Sequence, residues 1–352
     1  MKEKIFGMCI VFFMLFLLFS GCIEQNDSTV KYQSFEQFMP SSKQGTVSMD
    51  FSIRTNNTTE SVRLWIPYPV SNEYQNISHY DISGNYDYHG VFRQPESGTM
   101  ILYADWQTPQ KFPQLNLSFH IKRMQRIRKN FTLTKENIPI VITPYLAATS
   151  LGPTDGIVKK IADDVVEDNE SILLKAISIY DYLIEHGERD PNLSFCGDGD
   201  VCTLLSNLRG KCADFSSVFV ALSRSVGVPS REIFGTRMGK DGDITGAYHC
   251  HAEFYLPSYG WIPVDPSDVA KLMLNENLEL NDEQVVEARD YYFGNQSETY
   301  IDLSMGRDVI LNPKQDGSAL NYFMYPYAEV DGNPLDSISQ EYLRYTVTFS
   351  SD

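Results

Sequence analysis

Positive charge is scarce in this chain. Its 352 residues carry 29 Lys and Arg against 46 Asp and Glu, a formal net charge of −17. That balance disfavours nucleic acid and anionic lipid surfaces as partners, because both are held through clustered cations. The one basic stretch, Lys122, Arg123, Arg126, Arg128 and Lys129, is interleaved with Ile121, Met124 and Ile127 and reads as a solvated strand. No internal repeat and no phosphate loop is found, which sets aside solenoids and nucleotide cradles. Long hydrophobic runs are lacking too: the apolar stretch from Ile5 to Phe19 is too short for a comfortable transmembrane span.

That stretch has a different use. Lys2 and Lys4 precede it and Ser20-Gly21-Cys22 follows, the pattern of a signal peptide over 1–21 with a small-residue cleavage site. The Ser-Gly-Cys ending resembles the lipobox of prokaryotic lipoproteins, in which Cys22 would be lipidated and become the mature N-terminus. An ordinary secretory signal or an uncleaved anchor is the alternative. Residues 22–44 are polar, turn-rich and without periodicity, as a lipid-anchored tether would be. The expected location is the extracellular face of the cell membrane, lipid-anchored or secreted. Nine Asn-x-Ser/Thr tripeptides, starting at Asn26, Asn56, Asn57, Asn76, Asn116, Asn130, Asn169, Asn192 and Asn295, suit a glycosylated surface protein.

Cysteine is sparse as well, with six in all. Cys9 lies in the signal and Cys22 is assigned to lipid, leaving Cys196, Cys202, Cys212 and Cys250. Cys196 and Cys202 bracket the tight loop Gly197-Asp198-Gly199-Asp200-Val201, and a disulfide between them is expected in an oxidising setting. Asp198 and Asp200 also suggest a calcium loop. Its spacing is shorter than an EF-hand and lacks the terminal Glu, so neither a metal nor a cofactor is assigned.

The chain is long enough for two domains and a tail. Residues 45–135 hold short alternating runs such as Ser61 to Pro67 and Leu115 to Ile121, separated by Asn, Gly and Pro turns, the texture of a β-sandwich-like domain. From Gly156 helices take over: Ile157 to Val166, then Ser171 to His186 with Leu173, Ile177, Tyr180 and Ile184 on one side and Gly187 as the stop. Residues 136–285 form the expected catalytic domain, closing with an Asn- and Glu-rich linker after Asp268. Residues 286–352 read as a β-rich extension in which Tyr322, Phe323, Tyr325 and Tyr327 suit either a substrate groove or, more commonly, core. The class is α+β.

Three short blocks carry the chemistry. In Gly210-Lys211-Cys212-Ala213-Asp214-Phe215 the Cys opens a helix whose Phe215, Val218, Phe219, Leu222 and Val226 share one face. A thiol at a helix N-terminus meets unpaired N–H groups and the positive dipole end, both of which favour the thiolate. Gly210 is read as the residue that lets the chain turn sharply before it. In Tyr248 to Leu256 the residues alternate, with His249, His251, Glu253 and Tyr255 on a polar face and Cys250, Ala252, Phe254 and Leu256 on a core face. Cys250 is thus an inert buried thiol, and the period alone does not choose between the two histidines. Pro257-Ser258-Tyr259-Gly260 then turns the chain into Trp261 to Val264, an antiparallel partner that brings Asp265 beside His249 or His251, with Pro266 ending the strand. A Cys nucleophile, a His base and an Asp that fixes the imidazole are the components of thiol acyl transfer.

The segments GKCADFSSVFVALSRSVGVPSR and YHCHAEFYLPSYGWIPVDPSD, matching in order and spacing over about 170–268, resemble the core of the transglutaminase-like superfamily, a papain-like thiol fold. The resemblance implies Cys212 as nucleophile, His249 as base and Asp265 as the orienting carboxylate. It leaves His251, Glu253 and Trp261 as candidates to support the catalytic groups from behind or to touch substrate. It implies a protein or peptide substrate and thiol chemistry on an amide, hydrolytic first and cross-linking second, since members include proteases and protein cross-linking enzymes. A cell-surface binding module that keeps the fold without turnover is the third reading.

Overall fold

The computed structural model describes residues 40–109, 112–132, 137–167 and 171–352. The signal peptide, Cys22 and all of the tether except 40–44 lie outside them, as do the sequons at Asn26 and Asn169. No helix among the described residues is long and apolar enough to cross a membrane.

The first six strands are β1 (Ser42–Ile53), β2 (Ser61–Pro67), β3 (Gln75–Gly84), β4 (Tyr88–Arg93), β5 (Met100–Gln107) and β6 (Gln114–Met124), and period-two burial is clearest in β1 and β6. In β1 Val47, Met49, Phe51 and Ile53 turn inward, and β6 answers with Phe119, Leu117 and Leu115 in antiparallel register. Val62, Leu64 and Ile66 of β2 meet Trp106, Ala104 and Leu102 of β5 in the same way. The same parity carries Arg123 into the buried row with Ile121, so the basic stretch is not a solvated strand: Arg123 is fully buried and Arg126 nearly so. Their partners lie far along the chain, which is why local pattern misses them. Arg123 Nη1 pairs with Asp302 at 2.9 Å, and Arg126 pairs with Glu253.

Helices follow where the sequence places them, α1 at Gly156–Val165 and α2 at Ile172–His186, the latter capped by Ser171, whose hydroxyl accepts the Leu174 N–H, and closed at Gly187. A single turn, α3 (Val201–Leu204), precedes α4 (Cys212–Ser225). Strands β7 (Ser230–Arg237), β8 (Tyr248–Leu256), β9 (Gly260–Val264) and, after two more helices, β10 (Tyr300–Met305) make an antiparallel sheet in the order β9-β8-β7-β10. Phe215, Val218, Phe219 and Leu222 of α4 share a core with Ala252 and Phe254 of β8, together with α2. Each such side chain contributes roughly 1.5–3 kcal/mol relative to exposure.

Two regions depart from the sequence reading. The expected linker after Asp268 is helical: α5 (Pro266–Glu276) has Asp265 as N-cap and Pro266 in its first turn, so this proline starts a helix as well as ending a strand. The second, α6 (Glu283–Tyr292), buries only Val285, too little apolar pattern to show in the sequence. The last strands, β11 (Tyr327–Val330) and β12 (Leu343–Ser351), are not a separate extension but complete the sandwich. One five-stranded sheet runs Gly242–Asp243, β12, β1, β6, β3, and the other Asn333–Pro334, β11, β2, β5, β4. Both contribute to one core, with Val347 and Phe349 of β12 beside Val47, Leu64 and Phe119.

Candidate active site

Cys212 is the first residue of α4. The turn that delivers it is held by Asp214, which accepts the Lys211 N–H through Oδ2 and the Gly199 N–H through Oδ1, both at 2.8 Å. This closes the helix end and fastens the 196–200 loop to it. Gly210 is required for space rather than for a left-handed turn: a Cβ there would sit 2.4 Å from Asp214 Oδ2. Gly197, at φ +99°, faces the same carboxylate and also has no room for a side chain.

The β8–β9 hairpin forms with Ala252 opposite Val264 and Leu256 opposite Gly260. Asp265, one residue past the hairpin, meets one histidine and not the other. His249 Nε2 donates to Asp265 Oδ2 at 2.7 Å, while His251 lies beside Gln296 Nε2 at 3.1 Å. With Nε2 engaged, Nδ1 is the ring nitrogen left for the Cys212 sulfur, with which the imidazole interacts electrostatically. Cys212, His249 and Asp265 are 1, 5 and 3% exposed, so the three groups interact almost wholly out of water.

Electrostatics follows from that enclosure. Hydrogen bonds from Cys196 and then Cys250 hold the Cys212 thiol well below its ordinary pKa; burial opposes them, and the His249 charge and hydrogen bond add to them. Burial and the Arg237 charge work against an imidazolium at His249, but Asp265, Asp268 and the Cys212 thiolate prevail and lift it to about 9. Both shifts favour a thiolate facing an imidazolium.

Sequence reasoning missed the groups behind Asp265. Its Oδ1 caps α5 through the Asp268 N–H at 3.0 Å, and its Oδ2 also accepts the Tyr300 hydroxyl at 2.5 Å. Arg237 donates to the Tyr300 oxygen and pairs with Asp268. Burial opposes charge on Asp268, yet Arg237 and then His249 hold it at about 2. His249, Asp265 and Asp268 offer ligand atoms within 4.8 Å of one another, but the cation among them is the Arg237 guanidinium. The Asp265-to-Asp268 spacing on one helical turn was the available signal; Tyr300 and Arg237 had none.

The remaining expected residues are elsewhere. The polar face of β8 is buried, not solvated. Burial pushes His251 down to about 4, leaving it neutral against Tyr300. Glu253 is buried between Arg231 and Arg126, whose charges outweigh burial and hold it below the usual carboxylate range. Trp261 is covered by the Arg231 guanidinium at 4.0 Å and accepts from Arg126 through its carbonyl. The Cys196–Cys202 disulfide is not formed: both thiols are free, Cys202 exposed and Cys196 turned inward against Cys212. Asp200 is occupied in capping α3, where it accepts the Thr203 N–H.

A cover lies over the sulfur. Tyr322 stacks on Phe234 at 4.9 Å and donates to the Gly197 carbonyl at 2.9 Å, Tyr325 accepts the Cys196 N–H at 3.3 Å, and Met324 is buried with Cys212 and Cys250. The aromatic run thus divides, since Phe323 packs with Trp65 in the sandwich and Tyr327 lies beside the same indole.

A thiol at a helix start, a histidine on the neighbouring strand and a carboxylate after the hairpin define a transglutaminase-like core, and residues 159–266 match the profile of the Transglutaminase-like superfamily. A protein of Haemophilus influenzae, described as uncharacterized, is 36% identical over 310 residues, spanning 80% of this chain and 84% of that one; the two belong to one family. Among solved structures, a candidate cysteine protease from Cytophaga hutchinsonii has the same fold over 89% of this chain and 99% of its own, with a TM-score of 0.55 and 15% identity. The periplasmic domain of TgpA from Pseudomonas aeruginosa aligns more loosely, with a TM-score of 0.36 and 12% identity over 70% of this chain and 93% of that one.

Proposed function

We propose that the protein is a thiol hydrolase of amide bonds in proteins or peptides. The observation that carries this reading is a buried thiol at the first turn of a helix, with His249 held by Asp265 at 2.7 Å in the same enclosure. Cys212 Sγ attacks the carbonyl carbon, and the resulting oxyanion lies at the first turn of α4, where the Cys212 N–H faces it. The Ala213 N–H is already given to the Cys196 carbonyl at 2.9 Å and does not serve as the second donor. His249 protonates the departing amine, leaving a thioester on Cys212. Water then gives a proton to His249 and attacks the thioester, releasing the acid and restoring the thiolate. Asp265 keeps the imidazole in register through both steps.

Substrate entry requires the Tyr322–Tyr325 cover to move, since the sulfur is only 1% exposed. The N-terminal pattern supports a place outside the cell with Cys22 as lipid anchor, where water is the abundant acceptor.

The test is the iodoacetamide alkylation rate of Cys212 against pH in the purified full chain, located by peptide mass. Labelling should persist well below the ordinary cysteine pKa of about 8.5 and be lost in His249→Ala. A pH dependence matching a free thiol in both proteins would defeat the reading.

A further inference from the structure

Three of the four described cysteines share one buried pocket, and hydrolysis uses only one of them. Cys196 and Cys250 are buried in the same cluster as Cys212; the Cys212 sulfur lies 3.9 Å from the Cys196 carbonyl, and the Cys196 thiol donates to the Tyr248 carbonyl at 3.4 Å. Neither belongs to the proton path through His249 and Asp265. Two thiols held against a nucleophilic sulfur are in position to react with it once it is oxidised.

We propose that Cys196 is the resolving thiol of Cys212, so that a hydroperoxide converts the site into a Cys196–Cys212 disulfide that a dithiol reopens. This rests on the thiolate reading of Cys212 and not on any choice of amide substrate. The backbone geometry favours Cys196 over Cys250. The Cys196 carbonyl accepts the Ala213 N–H at 2.9 Å and lies 3.9 Å from Cys212 Sγ, so the loop is already docked on the first turn of α4. Cys196 belongs to no strand or helix, and glycines at positive φ, Gly197 and Gly199, follow it. Closing a disulfide brings the sulfurs to about 2.05 Å, a movement that a loop supplies more readily than a sheet. Cys250 is in mid-β8, opposite Phe234 of β7, and is fixed by the ladder. Cys202, on α3, is exposed and outside the pocket.

The chemistry balances with the hydroperoxide as oxidant. The Cys212 thiolate attacks a peroxide oxygen, the O–O bond breaks, and the alkoxide leaves with a proton as alcohol or water, giving Cys212 sulfenic acid. Cys196 sulfur then attacks the sulfenic sulfur, the S–O bond breaks, and water departs with the Cys196 proton. Two thiols are oxidised by two electrons and one peroxide is reduced.

The order of events follows from the charges. The hydrogen bond to Cys212, then burial, then the Cys212 charge raise the Cys196 thiol well above its ordinary pKa, so it stays protonated while Cys212 is a thiolate. Sulfenic acid formation removes that negative charge and with it part of the restraint on Cys196. Both sulfurs lie under the tyrosine cover, so oxidation depends on the same opening that a substrate uses.

The experiment oxidises the reduced full chain with hydrogen peroxide, maps the cysteines by non-reducing peptide mass, and measures Cys212 alkylation before oxidation and after dithiothreitol. The wild type should yield a linked Cys196 and Cys212 peptide pair and recover its alkylation. Cys196→Ser keeps a donor for the Tyr248 carbonyl but cannot resolve the sulfenic acid, so Cys212 should proceed to sulfinic acid and recover less than about a tenth. Cys250→Ser should still form the Cys196–Cys212 link. A Cys212–Cys250 link, or equal recovery in wild type and Cys196→Ser, overturns the proposal. Wild-type Cys212 that is neither alkylated nor oxidised defeats the thiolate reading as well; sulfinic acid in both proteins defeats the pairing alone.

Discussion

The two sides of His249 are made of opposite materials. On one side lie sulfur and aromatic rings, Cys196, Cys212, Cys250 and Met324 beneath Tyr322 and Tyr325. On the other lie full charges, Asp265, Asp268 and Arg237, joined through the Tyr300 hydroxyl. The charged side is fixed from several directions: Asp265 alone holds a helix cap, an imidazole and a phenol. The sulfur side is tied to a loop that is neither strand nor helix through the Ala213 N–H, the Asp214 carboxylate and the Tyr322 hydroxyl. The difference teaches a division of labour in which the imidazole is oriented by a charged network behind it, while the thiols sit in an apolar and aromatic enclosure.

The comparison breaks most completely at the sulfur. Cys212→Ala should remove amide turnover by at least about 10³-fold while the chain still folds, read as release of new amines from a peptide mixture. Turnover retained in that variant would place the chemistry elsewhere. Next is the charged side, where Tyr300→Phe removes one donor to Asp265 without touching the thiol. It should lower kcat by about 10-fold, leave KM nearly unchanged and preserve Cys212 alkylation at neutral pH. In the wild type the alkaline limb of kcat should fall at about 9, because His249 above that pH lacks the proton the leaving amine requires. The sign extends to stability: a histidine raised above its ordinary 6.5 contributes fully below that value and loses its contribution as pH rises through about 9. The smallest effect is expected at Cys250→Ala, costing about 1 kcal/mol by denaturant unfolding with kcat changed less than about threefold.

The nucleophile side was legible because its signals are local. A Gly before a Cys, helical spacing after it, and a turn between two alternating runs all lie within short windows, and the structure has the helix and the hairpin there. The choice of His249 over His251 was not legible from period-two alternation, since both face the same way. It was decided by Gln296, 45 positions from His251, and by the cap of α5. The buried arginines were illegible for a stronger reason. Arg126 and Glu253 are 127 positions apart, and a charge whose partner is so distant has the sequence appearance of a solvated one. The C-terminal strands failed in the same way, because period two states that a strand exists and not which sheet receives it.

The last strand also determines when the molecule can finish folding. β1 lies between β6 and β12, and Gln44 meets Asp352 across 308 positions at 2.8 Å. A chain delivered N-terminus first exposes β1 early and supplies its second neighbour only after the entire thiol core has emerged. Until then one edge of β1 offers unpaired backbone groups to any passing strand. Loop closure over such a span is slow, so the sandwich is a late-assembling element and its waiting strand the point most exposed to mispairing during biosynthesis.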